Sequence, residues 1–387
     1  MKLLVTGANG FVGKNLLVHL QEMPDVDVVA YTRSNTVDEL PELLKGVDAV
    51  IHLAGINRPQ DDSEFVKGNT DLTQCLADAL EALAKHHGKR IPVLYSSSIQ
   101  AERNNPYGLS KKAAEDALLQ LEQNTGISVY IYRLANVFGK WCKPNYNSMV
   151  ATFCHNIIRD IPIEIHNEDA EVKLVYVDDV VQSLITTARQ AVNATQNNEE
   201  LPKTGFVEAN PVYTETVGSI AKQLKAFKHS RETLISERVG TGFTRKLYST
   251  YVSYLPTDAF TYTVPKYVDE RGVFVEMLKT PDAGQFSYFT AHPGITRGGH
   301  YHHTKTEKFL VIKGKACFKF RHMVTGEFYE LFTEGESPEI VETVPGWSHD
   351  ITNVGDDEMV VMLWANEIFD RENPDTYACP VVKPHSN

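Results

Sequence analysis

From residue 2 to about residue 190 the chain alternates short β-branched runs with stretches in which apolar residues recur every three or four positions. The runs KLLVTG, VDVVAYT, DAVIHLAG, IPVLYSSS and VYIYRLA read as strands, and the amphipathic segments between them as helices. Such alternation predicts an α/β fold, a parallel sheet with helices on both faces. The polar, turn-rich NATQNNEELPKTG, 193–205, reads as a surface loop and TVGSIAKQLKAF beyond it as a helix. From about residue 260 the texture changes to short strand-like runs, GVFVEMLK, QFSYFTA, EKFLVIKG, ACFKF and MVVMLWA, punctuated by Gly, Pro and Asp. That pattern predicts an all-β barrel or sandwich. A boundary near 245–258 gives two domains, 1–250 and 258–387.

Composition narrows the classes. The 387 residues are enough for two cores, and 42% hydrophobic with 23% charged residues is the balance of a folded chain. A net charge of −12 argues against a nucleic-acid partner. No run approaches the about 18 apolar residues of a membrane span, and the opening LLV runs into glycines rather than a cleavage site. The expectation is a cytoplasmic protein with no membrane partner. Cys75, Cys142, Cys154, Cys317 and Cys379 are scattered, with no CxxC pair, and read as reduced thiols.

Chemistry enters at VTGANGFVG, where Gly7, Gly10 and Gly13 stand between a strand and an amphipathic helix. Glycines there let the backbone approach a pyrophosphate at a helix N-terminus. Further on, Tyr107 and Lys111 are four apart on a predicted helix and share one face. A lysine ammonium near the phenol would lower its pKa, as a proton-transferring tyrosine requires.

The glycine loop, the serine-ended strand and Tyr-x-x-x-Lys together resemble the extended short-chain dehydrogenase/reductase family over roughly residues 1 to 250. The resemblance implies a Rossmann-type doubly wound sheet acting on a hydroxyl or ketone beside NAD(P). It assigns Tyr107 as general acid/base, Lys111 to the cofactor ribose and the tyrosine, and one serine of the SSS run, with Ser98 the best fit. Cofactor contacts carried over are Gly7, Gly10, Phe11, Val12, Gly13, Arg33, Leu53, Ala54 and Gly55, besides Tyr107 and Lys111. RLANVFG and VYVDDVV fit the family's nucleotide-sugar members, Asp178 and Asp179 reading as helix caps. Two departures stand out. VVAYTRSN offers no acidic residue for a ribose 2′-hydroxyl but offers Arg33 for a 2′-phosphate, so NADPH is expected over NADH. Only eight residues separate Ser98 from Tyr107, so the substrate pocket must draw on other segments.

The second half carries its own constellation. Gly294, His300, His302, Glu307 and Gly314 obey G-x5-H-x-H-x4-E-x6-G, and Gly346, His349 and Asn353 obey G-x2-H-x3-N. His300 and His302 alternate and point to one face of a strand. Three imidazoles and a carboxylate suit one divalent metal of borderline character, Zn first, with Fe, Ni or Mn as alternatives. His303 reads as a surface bystander. The spacings resemble the cupin family over about residues 260 to 375, which implies a C-terminal cupin barrel. DERGVFVEM, Asp269 to Met277, resembles the D-x-R-G-x-F-x-E signature of deoxysugar-nucleotide 3,5-epimerase cupins, with Arg271 either a diphosphate clamp or a turn residue paired with Glu276.

Reductase followed by cupin in one chain resembles the bifunctional capsule and O-antigen nucleotide-sugar enzymes. That resemblance implies C3 epimerisation of a UDP-2-acetamido-2,6-dideoxy-4-hexulose by the cupin, then C4 reduction with NADPH to UDP-2-acetamido-2,6-dideoxy-β-L-talose, a precursor of UDP-N-acetyl-L-fucosamine. It also implies a homodimer through the cupin. For the acid/base group at C3 the candidates are Lys308, expected at a lowered pKa beside the metal or else solvent-facing by strand alternation, then Tyr301 and His322. The alternatives are a reductase with a structural cupin, and an NADPH sensor without chemistry.

Overall fold

The computed structural model describes residues 1–387 except 198, 200–201, 265, 270–271, 276–277, 279–283, 368–371 and 383–387, and the side chains of 266–269, 272–275 and 285–287. Arg271 and Glu276 of the DERG signature, and the Asp269 side chain, fall outside the described set. The chain forms two compact units, 1–148 with 172–214, and 149–171 with 215–387.

In the first unit the strands are β1 (Lys2–Thr6), β2 (Asp27–Tyr31), β3 (Ala49–His52), β4 (Val93–Ser98), β5 (Val129–Leu134), β6 (Asn136–Phe138), β7 (Glu171–Tyr176), β8 (Gly205–Val207) and β9 (Val212–Thr216). Its helices are α1 (Phe11–Gln21), the short α2 (Leu40–Leu43) and α3 (Ser63–Phe65), α4 (Leu72–His87) and α5 (Pro106–Thr125); α6 (Met149–Ile158) belongs to the second unit, and α7 (Val177–Asn197) returns to the first. The main sheet runs β2-β1-β3-β4-β5-β8 with every pair parallel. All five strands read from the sequence are present.

Strand β1 shows why the runs are nearly continuous in apolar residues. Leu3 and Val5 pack with Leu16, Leu20 and Leu184 on one face, while Leu4 packs with Leu76, Leu80 and Leu118 on the other. A sheet covered on both sides buries every position. Each such leucine contributes about 1.5–3 kcal/mol by leaving water. The order reverses between β1 and β3, the crevice where parallel sheets bind ligands. One expectation is corrected here. Residues 193–197 continue α7 rather than opening a loop, because Val192 and Ala194 are still buried and Thr195 bonds back to the Ala191 carbonyl.

The second unit adds α8 (Val217–Thr233) and α9 (Gly242–Val252) to α6, then strands β10 (Thr261–Thr263), β11 (Lys266–Asp269), β12 (Gly272–Val275), β13 (Gln285–Ala291), β14 (Thr296–Tyr301), β15 (Glu307–Lys313), β16 (Lys315–His322), β17 (Phe328–Glu334), β18 (Glu339–Glu342), β19 (Trp347–Asn353), β20 (Met359–Ala365) and β21 (Tyr377–Ala378). Two five-stranded antiparallel sheets result, β10-β18-β15-β20-β13 and β17-β16-β19-β14-β21, a cupin-like sandwich. The glycines of the spacing pattern are turn residues. Gly294, Gly314 and Gly346 hold φ of 77°, 88° and 82°, where a side chain would be strained. Asn353 ties the Ala291 and Asp357 carbonyls together.

Candidate functional site

Each unit carries one constellation. In the first, the β1–α1 turn meets the β3 loop. Gly7 has φ 67°, and a Cβ there would lie 2.6 Å from the Ala54 nitrogen, while one on Gly13 would lie 2.3 Å from the Gly7 carbonyl oxygen. Gly10 caps α1 without a side chain, so the amide groups of the first turn, beginning at Phe11, Val12 and Gly13, have no side-chain acceptor at the cap. With Leu53, Ala54 and Gly55 opposite, this is a backbone cradle that only glycine permits, and it fits a dinucleotide pyrophosphate. Arg33 stands exposed just past the end of β2.

Helix α5 begins where Asn105 accepts from Gly108 N at 2.8 Å and Pro106 fills the first turn. Gly108 has no room for a Cβ against the Gln100 and Arg103 carbonyls. That contact packs the start of α5 against the 3₁₀ turn Ile99–Glu102, which occupies the short interval after Ser98. The three serines separate by role. Ser97 is buried and donates to Glu115 at 2.6 Å, Ser96 offers its carbonyl to Lys111 at 2.9 Å, and Ser98 acts on the Tyr107 hydroxyl.

The Tyr107 phenol differs from expectation. Burial pushes it up from its usual value, Ser98 pulls it partly back, and the Lys111 charge is not among the groups acting on it. Lys111 itself is pushed down to about 8 by burial, against the opposing charge of Glu115. Its Nζ donates to Tyr95 Oη at 3.3 Å as well as to Ser96. Asp178 lies in the first turn of α7 and binds the buried Lys140 at 2.7 Å.

In the second unit His300 on β14 faces His349 on β19 across the strand pair, with a bulge between Gly298 and His300. His302 follows β14 and Glu307 opens β15. The imidazole centroids of His300, His302 and His349 are 4.8–5.1 Å apart. One ligand atom from each of the four residues lies within 4.8 Å of all the others. His302 Nδ1 donates to the Asp375 carbonyl at 2.5 Å, which orients the ring so that Nε2 lies 3.1 Å from Glu307 Oε2. His349 is buried, its Nε2 3.5 Å from Glu307 Oε2, with Glu307 and the Trp347 backbone acting on its ring. Burial pushes the His300 imidazole down to about 3, aided by the other two histidines, so it stays neutral and able to donate a lone pair. Burial alone would raise Glu307, but His302, His349 and Lys305 hold it well below the usual carboxylate range. The donor set therefore fits a divalent metal of borderline preference.

Two expectations are corrected. His303 is buried, packed 5.0 Å from the Tyr377 ring, not a surface bystander. Lys308 points away from Glu307, as alternation along β15 requires, yet into the interior rather than to solvent. There it pairs with Glu342 and donates to Tyr262 Oη at 3.1 Å. Burial would lower its pKa, but Glu342, with Tyr248 and Tyr262, holds it well above the usual lysine value. Tyr301 stacks on Tyr377, and His322 Nδ1 accepts from Val324 and Thr325, so neither is part of the four-residue cluster.

The sequence reading missed two neighbours of the cluster. Lys305 Nζ lies 2.8 Å from Glu307 Oε1, an alternation of two that the string KTE displays. Asp375 gathers the amide groups of His303, Thr304 and Lys305 on its carboxylate, a contact across some 70 residues that no local pattern announces.

Comparison with known proteins bears on both halves. Residues 3–200 match the model of the NAD dependent epimerase/dehydratase family. The chain belongs to that family. Residues 267–377 match the polysaccharide biosynthesis C-terminal domain, so the family's fold here precedes a second module. A UDP-2-acetamido-2,6-beta-L-arabino-hexul-4-ose reductase of Pseudomonas aeruginosa is 60% identical over 98% of this chain and 99% of its own, which makes the two close homologues. The crystal structure of the capsular polysaccharide assembling protein CapF from Staphylococcus aureus, 41% identical, covers 98% of this chain and 100% of its own with a TM-score of 0.64. A UDP-N-acetylglucosamine 4-epimerase from Bacillus cereus, 21% identical over 65% of this chain and 96% of its own, shares the fold at a TM-score of 0.51.

Proposed function

We propose that this chain is a bifunctional nucleotide-sugar enzyme of capsule or O-antigen synthesis. Its C-terminal unit epimerises a UDP-2-acetamido-2,6-dideoxy-4-hexulose at C3, and its N-terminal unit then reduces the C4 ketone to give UDP-2-acetamido-2,6-dideoxy-β-L-talose. The observation that carries the reading is the end-to-end 60% identity with a reductase named for a 4-ketosugar. The geometry supports it, with Tyr107 and Ser98 beside a glycine cradle and a His₃Glu cluster in the other unit.

In the reductase, NADPH supplies the hydride that C4 receives. Tyr107 gives its proton to the ketone oxygen, a role served by a phenol that burial keeps protonated, and Ser98 holds that oxygen. Lys111 would hold the nicotinamide ribose and Arg33 a 2′-phosphate, the basis for expecting NADPH over NADH. In the epimerase, a divalent cation held by His300, His302, Glu307 and His349 supplies Lewis-acid stabilisation of negative charge on the substrate. The C4 ketone acidifies the C3 hydrogen, and reduction removes the ketone, so epimerisation precedes reduction. A homodimer through the C-terminal unit and a cytoplasmic location belong to the same reading.

The test is NMR of the full-length protein with the 4-hexulose in deuterated water, before and after NADPH, with NADH and chelated controls. Deuterium entering C3 without cofactor, abolished by chelation, then C4 reduction that NADPH drives better than NADH, is the expected result. Reduction without prior exchange leaves the C-terminal unit a scaffold, and no reaction at either stage overturns the reading.

A further inference from the structure

His52 ends β3 immediately before the Leu53–Gly55 loop, and the proposed chemistry leaves it unused. It is fully buried, with Nδ1 2.6 Å from Thr6 Oγ1 and Nε2 2.8 Å from Thr73 Oγ1. The two threonines decide where its proton sits. Thr73 gives its single hydroxyl hydrogen to the Asn69 carbonyl at 2.6 Å, so it can only accept from the imidazole, and Nε2 carries the hydrogen. Nδ1 then accepts from the Thr6 hydroxyl, whose oxygen in turn accepts from Ala54 N at 3.1 Å. The tautomer is thus fixed by a string that begins in the cofactor loop itself.

The same ring stacks on Tyr95, centroids 5.3 Å apart at 25°. Tyr95 is completely buried, and its hydroxyl accepts from Lys111 Nζ, which also lies 4.9 Å from the Tyr95 ring centre. An ammonium carries three hydrogens on a flexible four-carbon stem, and one buried this deeply is aimed only by the acceptors it finds. Here those are Tyr95 Oη and the Ser96 carbonyl. The loop is close as well, since a Cβ on Gly55 would lie 3.2 Å from Lys111 Nζ.

We propose that Tyr95 is a positioning residue for Lys111, seated by stacking on His52, which Thr6 and Thr73 hold, so that a hydrogen-bonded string and a ring stack together couple the cofactor loop to the cofactor lysine. The proposal rests on the reductase reading above. The groups facing Lys111 are Glu115 on its own helix, Tyr95 and the Ser96 carbonyl from β4, and neutral His52 from β3. Glu115 is itself held by Arg133 of β5 and by Ser97. Removing the Tyr95 hydroxyl takes an acceptor from the ammonium and disfavours its charged form, so activity that needs it protonated fails at lower pH.

The experiment uses full-length Tyr95→Phe, Thr73→Val and Thr73→Ser, titrated with NADPH by fluorescence and assayed for ketone reduction across the alkaline limb. Tyr95→Phe is expected to bind NADPH about tenfold more weakly, the order of one charge-assisted hydrogen bond, and to move the alkaline limb of kcat/KM down with the sugar KM unchanged. Thr73→Val, which takes away the hydroxyl that holds both His52 Nε2 and the Tyr95 phenol, shifts both in the same direction and Thr73→Ser restores them. Variants that lose thermal stability but keep wild-type affinity and pH profile overturn the proposal. If the wild type binds NADPH yet reduces no ketosugar, the functional reading fails by itself, and the Tyr95→Phe affinity still decides the positioning role.

Discussion

His52 is pushed down to about 3 by burial, with the Lys111 charge adding to the shift. Its folded value lies below the ordinary histidine value of about 6.5, so the unfolded chain binds the extra proton first. The stability that goes with the neutral ring is therefore complete above about pH 6.5 and is lost as pH falls toward the folded value. Urea unfolding followed from about pH 7 to 4 should show stability falling, and His52→Gln should flatten the slope; equal slopes would mean that other groups govern acid unfolding. At this scale the sequence was informative about chemistry and less so about surroundings. Tyr107, Lys111 and the four cluster residues could be named from spacing. Ser98 could be picked from the three serines by its fit to the family pattern, but where Ser97 goes could not, because it finds Glu115 only once α5 packs on β4.

Strand β15 shows both the reach and the limit of pattern. Period two puts Glu307 and Lys308 on opposite faces, and the usual corollary sends one of them to water. The corollary fails because α8 and α9 bring Arg231 and Tyr248 to that face, where Glu342 takes Lys308 on one oxygen and Arg231 at 3.3 Å on the other. A lysine so held is an ion-pair partner of Glu342. Lys308→Met should destabilise the protein by about 3 kcal/mol, the low end for breaking a buried pair because Arg231 remains beside Glu342, as read by chemical denaturation. Unchanged stability with loss of C3 exchange would return Lys308 to the chemistry. Elements with long apolar runs were legible because burial on two faces leaves little else to read. The end of α7 was not, since NATQN is polar in composition yet still carries the buried Ala194 on the helical period.

The four-residue cluster of the second unit is a feature no single element contains. His300 and His349 belong to one sheet through β14 and β19, whereas Glu307 belongs to the other through β15. A cation held there would join the two sheets and bind only their closed arrangement, and so stabilise the folded state by mass action. Chelation should lower the melting temperature of the full-length protein and added Zn²⁺ restore it, with His349→Ala insensitive to both; a melting temperature indifferent to metal would remove the cross-link. The order of synthesis adds a consequence. His302 is oriented by the carbonyl of Asp375, so a nascent chain cannot finish the site until residue 375 has left the ribosome and threaded back to β14. Capture of a metal by the cluster would then fall late in the life of each molecule, and a cell short of the ion would accumulate chains already complete in sequence but not yet locked.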